Sequence, residues 1–234
     1  MSETRNLLRG ALALCVLAGM ACLNSCAPKQ EALVAQGLLT GEPCGPPCFQ
    51  GLVPGSSTED DVRQFLRSGE YAVGPYAVID RSEEGVLVIL WDRRGLGGQR
   101  NEFQMQDHVL SLMSMYVDSD VTLEQVLNRY GAPSKFEAGL NLSGRVYTWV
   151  SLFYHEDGMM LDLYLYDNVP QLKPETEVAR VSYFEAVPLD EAIATLQGKK
   201  GQALEDFELQ WLEYWHDWEG YGVVEPDPRP SVVD

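Results

Sequence analysis

The chain has 234 residues, 45% of them hydrophobic, which is enough to bury a substantial core and excludes wholesale disorder. Its 17 basic residues stand against 35 acidic ones, a net charge of -18. Such a surface repels phosphate, so nucleic acid and anionic lipid headgroups are excluded as partners, whereas solubility or a basic partner suits it.

Arg5 and Arg9 precede an apolar run from Gly10 to Leu23. Basic, then apolar, then small residues is the order of a secretory signal peptide. The run is shorter than the roughly 20 residues that span a bilayer, although an uncleaved anchor is the alternative. Leu23-Asn24-Ser25-Cys26 resembles the lipobox of bacterial lipoproteins. That resemblance implies that residues 1–25 are removed and that Cys26 is lipidated as the first mature residue. Cys22 competes for this role, but Gly19 fits its minus-three position poorly. Residues 26–43 are then expected to be a lipidated tether, on an exported protein held to a membrane. Two or more acyl chains make such attachment stable, because each buried methylene contributes about 0.8 kcal/mol.

Cys44 and Cys48 enclose Gly45-Pro46-Pro47. Export exposes them to oxidising conditions, and a close, isolated pair is expected to form a disulfide. The loop is so short that the bond contributes only about 2 kcal/mol or less. A redox site would be expected to use the tighter Cys-x-x-Cys spacing, and a metal site would need further ligands close by.

A first helix-plus-strands unit is expected over residues 44–118. After the Gly51–Gly55 loop, Ser57 or Thr58 caps a helix whose Val62, Phe65 and Leu66 share one face, and Gly69 stops it. Asp60 and Asp61 sit in its first turn, where the helix dipole favours negative charge. Strands follow at Val86–Trp91, Asn101–Gln106 and Val109–Val117, the last two joined by a turn at Asp107-His108.

A second unit is expected over residues 119–222. Thr122 caps a helix and Gln125 completes a capping box. Leu123, Val126, Leu127 and Tyr130 line its inner face, and Gly131-Ala132-Pro133 ends it. Arg145–His155 and Met159–Asp167 form a hairpin across Glu156-Asp157-Gly158. Glu177–Ala186 reads as another strand, and Pro188 starts a helix that runs to about Leu196. Leu204, Phe207, Trp211, Tyr214 and Trp218 recur three and four apart, an apolar helix stripe. The acidic, proline-bearing tail 223–234 is expected to be disordered.

Thr58, Val62 and Leu66 align with Thr122, Val126 and Tyr130, a weak sign of internal duplication. The run Thr122–Pro133, ending Tyr130-Gly131-Ala132-Pro133 before a strand hairpin, resembles the BamE/SmpA-like lipoprotein fold. Pro43–Gly55 with its cysteine pair, that same helix stop, and Trp218-Glu219-Gly220-Tyr221-Gly222 together resemble a group of uncharacterised bacterial lipoproteins. The first resemblance implies protein binding at a membrane; the second implies no activity.

The fold class expected is α+β, with short helices packed on an antiparallel sheet and two BamE-like units as an option. His108, His155 and His216 fall in no metal or hydrolase motif, and no phosphate-binding loop occurs. Three weaker signals have plainer readings. His155-Glu156-Asp157 is a polar hairpin tip, and Gly95-x-Gly97-Gly98 precedes a strand rather than a helix. Asp118-Ser119-Asp120 lacks the rest of a calcium loop. No catalytic residue, cofactor or metal is therefore expected. The leading reading is a non-enzymatic protein-binding or scaffolding lipoprotein whose partner is another envelope protein. The alternative is a ligand-binding lipoprotein with a sugar or other small molecule on Trp211, Trp215 and Trp218; an enzyme with an unrecognised site comes third.

Overall fold

The computed structural model describes residues 33–68, 77–81, 86–92, 100–117, 120–142, 144–196 and 213–227. Its fold is α+β. Eight antiparallel strands form one sheet: β1 (Ala77–Arg81), β2 (Val86–Asp92), β3 (Arg100–Gln106), β4 (Val109–Tyr116), β5 (Lys135–Asn141), β6 (Tyr147–Tyr154), β7 (Met159–Leu165) and β9 (Arg180–Phe184). Their spatial order is β1-β2-β3-β4-β9-β7-β6-β5. The remaining strands, β8 (Gln171–Leu172) and β10 (Gly222–Val223), pair only with each other.

Each half of the sheet is a four-strand meander preceded by a capped helix. Helix α2 (Glu59–Arg67) leads the first and α3 (Leu123–Tyr130) the second. Thr58 accepts a hydrogen bond from Asp61 N–H while the Asp61 carboxylate accepts from Thr58 N–H; Thr122 and Gln125 repeat the box. These reciprocal bonds satisfy backbone donors that the first helical turn leaves without partners. The two expected caps are therefore present, with Thr58 rather than Ser57 in the first. Gly131 stops α3 at a φ of 78°, a conformation that favours glycine.

The halves meet at their fourth strands, where Ser114 of β4 pairs with Ser182 of β9. From this pair the register runs outward alike on both sides. One row is Ser114, Glu102, Leu90 and Ala77, and the other is Ser182, Met160, Phe153 and Lys135. The caps match as well: Thr58 bridges Val109, and Thr122 bridges Glu177. Leu110 N–H donates to Ser57 O at 2.8 Å, as Val178 N–H does to Val121 O at 2.9 Å. The chain thus repeats one arrangement about an approximate two-fold axis through Ser114 and Ser182.

The helices α2 and α3 bury one face of the sheet. Phe65 packs edge-on against Phe49, Trp91 and Phe103, with ring centroids 6.0, 6.2 and 5.8 Å away. Val126 and Leu123 are completely buried, Tyr130 is half-buried and Asn128 is exposed, the register expected from the sequence.

Three expectations need correction. Within the expected tether, α1 (Leu33–Thr40) is a helix whose Val34, Ala35 and Leu38 are buried in the same core. Tyr130 Oη donates to Leu38 O at 2.5 Å and Arg129 Nη2 to Thr40 O at 3.0 Å, tying α1 to α3. Leu204, Phe207 and Trp211 of the aromatic stripe lie outside the described residues, and at its far end the chain is not helical: His216 exchanges two backbone hydrogen bonds with Phe136 on the edge strand β5. An edge strand offers partners to an extended backbone, and here they prevail over the helical periodicity. The expected disordered tail is docked over 223–227, where Val224 is buried and Asp227 N–H donates to Ala138 O at 3.0 Å. The two units, moreover, share one continuous sheet.

The helix α4 (Leu189–Leu196) is the one expected after Pro188, and it covers part of the opposite face. There Ala192 and Ile193 join Leu112, Phe153, Phe184 and Trp215 in a second apolar cluster.

Candidate functional site: the second face of the sheet

Successive residues of a strand point to opposite faces, so the pairing register states what stands on each face. Beneath α4 the second face is apolar, with Leu112 opposite Phe184 and Phe153 opposite Met160. One row further along it becomes polar: Tyr116, Arg180, Asp162, Ser151 and Glu137 stand side by side across five strands. The next row is Tyr164, Trp149 and Gly139. Tyr147 and Asn141 follow, with Tyr166 just beyond the end of β7.

Asp162 anchors the polar row. Ser151 Oγ donates to its carboxylate at 2.6 Å, and Arg180 faces it from β9. Protein surrounds the carboxyl group and raises its pKa; the Ser151 bond and the Arg180 charge oppose that rise. Arg180 reaches towards Glu102 at 3.9 Å and lies 5.7 Å from the Tyr116 ring centre, while its Nε is buried without a hydrogen-bond partner. Ser114 and Ser182, on the axis, share a hydrogen bond of 2.6 Å.

The raised pKa carries a prediction with a definite sign. A carboxyl group that binds its proton more tightly in the folded protein disfavours folding once it ionises. Asp162→Asn should therefore gain stability relative to the parent as pH rises through the range between the unfolded and folded pKa values. Below that range the carboxyl is protonated in both states and the pH-dependent part of the difference should vanish. Urea unfolding from pH 3 to 8 measures this; a difference that does not change with pH, or one that moves the other way, refutes it.

The aromatic rows form a strip along the strands. Tyr147 lies 5.0 Å from Tyr164 and 5.5 Å from Tyr166, and Arg145 stacks 3.9 Å above the Tyr166 ring. Asn141 Nδ2 donates to Tyr147 Oη at 2.7 Å. Beside them the Trp149 indole lies across the edge strand. A Cβ on Gly139 would stand 2.3 Å from its Cζ2 and 2.5 Å from its Cε2, so only glycine leaves room for the ring.

No protein family, curated protein or solved structure matches this chain. Its site must accordingly be read from its own residues.

Cys44 and Cys48 form the expected disulfide, with Cα atoms 5.6 Å apart. Cys26, Trp211, the Gly95–Gly98 loop and Asp118-Ser119 lie outside the described residues. Trp215 and Trp218 do not form a shared exposed stripe. Trp215 is buried with its ring 5.1 Å from Phe153, and half-buried Trp218 meets Phe136 edge-on at 6.1 Å. A sugar stacked on Trp215 is therefore ruled out.

The three histidines stand apart. His108 Nδ1 meets Glu59 at 3.1 Å, His155 Nδ1 meets Ser134 Oγ at 2.8 Å, and His216 Nε2 meets Asp227 at 3.2 Å. Hydrogen bonds from His108 and Arg63 hold the Glu59 carboxyl below its usual pKa. Among the described residues, no three His, Cys, Asp or Glu side chains gather to hold a metal ion.

The sequence reading missed Asp162, Arg180 and Trp149. A local signal was present: Tyr147 with Trp149, and Tyr164 with Tyr166, place aromatics at alternate positions opposite the apolar ones. What the sequence hides is the pairing of β9 with β7, which brings Arg180 to Asp162.

A separate feature lies at the same end of the sheet. Among the described residues, the exposed large apolar ones are Leu140, Leu142 and Val146 around the β5–β6 turn, Tyr166 and Val169 after β7, and Tyr221 and Val223 beside β8. The Tyr147–Tyr166 ring contact and the Val224–Pro170 backbone bond tie these segments together.

Proposed function

We propose that this chain is an exported lipoprotein, anchored to a membrane through lipidated Cys26, which serves as a non-enzymatic protein-binding or scaffolding module of the cell envelope. In this reading the two helix-plus-meander halves are BamE-like units, a view supported by the repeated caps and register. The observation that carries the function is the gathering of exposed apolar side chains at one end of the sheet. Monomeric proteins rarely leave a large contiguous apolar patch in water, and such patches mark interaction sites. Exposed Asp167, Glu219 and Glu225 accompany it, with Arg145 and Lys173 as the neighbouring cations. The partner that fits is a polypeptide with an apolar centre and a basic rim.

The test uses full-length protein in its own envelope. Crosslinking followed by capture should recover a discrete partner with the parent and lose it with the double variant Leu142→Asp, Val146→Asp. Both positions are more than half exposed, at 59% and 57%, so the change alters the surface and leaves the core alone. The same crosslinked species with both proteins would overturn the binding surface. Mass spectrometry that finds Cys26 unmodified in the mature protein would overturn the anchor.

A further inference from the structure

We infer that the second face of the sheet is a carbohydrate-binding surface, which takes an uncharged oligosaccharide along the strip from Asp162 to Tyr166. Three observations converge on that ligand. Pyranose rings present a flat face of C–H bonds, and aromatic rings held open on a rigid sheet are what such a face stacks upon. Trp149 meets this need because Gly139 lets its half-buried indole lie across the edge strand, while Tyr164 and Tyr147 continue the surface at a spacing of 5.0 Å. From residue 162 to residue 166 the strip runs about 13 Å, at about 3.3 Å per residue, a length that suits a short oligosaccharide.

The polar row supplies the second element. Sugar hydroxyls both donate and accept, and they are best met by donors and acceptors in alternation. Arg180, Asp162 and Ser151 stand in adjacent strands in that manner, and Arg180 Nε is a buried donor without an acceptor. Charge is the third element. Glu102, Asp162 and Glu137 share the face with Arg180 and with Lys135, which is already paired with Asp217, while Arg145 caps the far end of the strip, in a chain of net charge -18. A polyanionic glycan is repelled from such a face, whereas a neutral one is not.

This ligand site shares Tyr166 with the apolar patch but not Leu142 or Val146, so the two readings are separated by changing different residues. The experiment is calorimetric titration of the full-length protein, held in a detergent without a sugar headgroup, with neutral tetrasaccharides of glucose and of N-acetylglucosamine. The parent should bind one of them with a Kd below about 10 mM, and Trp149→Ala should weaken that binding at least tenfold. Tyr166 is 49% exposed, so Tyr166→Ala keeps the fold even if Trp149→Ala does not. It should weaken binding several-fold, and Tyr166→Phe should restore it. The Leu142→Asp, Val146→Asp protein should bind the sugar as the parent does, which separates this result from the outcome of the crosslinking. No binding of either tetrasaccharide by the parent would overturn the inference. So would binding unchanged by both aromatic truncations, or tighter binding of a carboxylated tetrasaccharide.

Discussion

Val126→Asp should destabilise the protein by several kcal/mol, while Asn128→Asp, two residues away on the same helix, should change its stability by less than about 0.5 kcal/mol. Val126 is completely buried between α3 and the sheet, and Asn128 is exposed. An aspartate at 126 would have to be buried as an ion, or bind a proton at neutral pH, or pull the helix away from the core. Each route draws heavily on the roughly 5–15 kcal/mol that separates a typical folded domain from its unfolded chain. Urea unfolding of the two variants beside the parent makes the comparison. Two small and equal shifts would mean that α3 presents another face to the sheet.

A second large effect is expected at Leu38. This residue lies in the segment that reads as a tether, yet it is completely buried, and Tyr130 Oη holds its carbonyl oxygen. Leu38→Asp should cost several kcal/mol for the reason that applies at Val126. Gln36 is exposed on the same helix, and Gln36→Glu should be nearly silent. A true tether would tolerate both changes equally. Thermal melts therefore decide whether the folded body begins at α1 or only at the disulfide loop.

Why α1 escapes a sequence reading is physical. Eight residues are too few for a helix to persist by itself in water, and Gly37 weakens it further. It forms because Arg129 and Tyr130 of α3, distant in sequence, hold its C-terminal turn. The helices α2 and α3 could be read because their determinants are local. Thr58 with Asp61 and Thr122 with Gln125 lie within one turn, and their apolar residues recur at helical spacing. The turn at Asp107-His108 is local in the same sense, with φ values of 51° and 63°. The aromatic repeat ending at Trp218 shows the opposite failure. Its spacing suits a helix, but residues 216–218 take partners on β5 that periodicity cannot reveal. The candidate site was half legible for a related reason. Its aromatics alternate visibly within β6 and β7, whereas Arg180 reaches Asp162 only through the placing of β9.

That placing also governs how the chain must be made. Six consecutive residues of β4, from Leu110 to Met115, are buried in the finished fold. Until β9 arrives from more than sixty residues downstream, β4 is an open border ready to pair with any other strand. A polypeptide delivered N-terminus first therefore passes through a vulnerable interval, when the first meander is complete but its inner border is bare. Premature termination between Tyr116 and Arg180 would make that interval permanent, and the truncated product would be prone to aggregate rather than a smaller working protein.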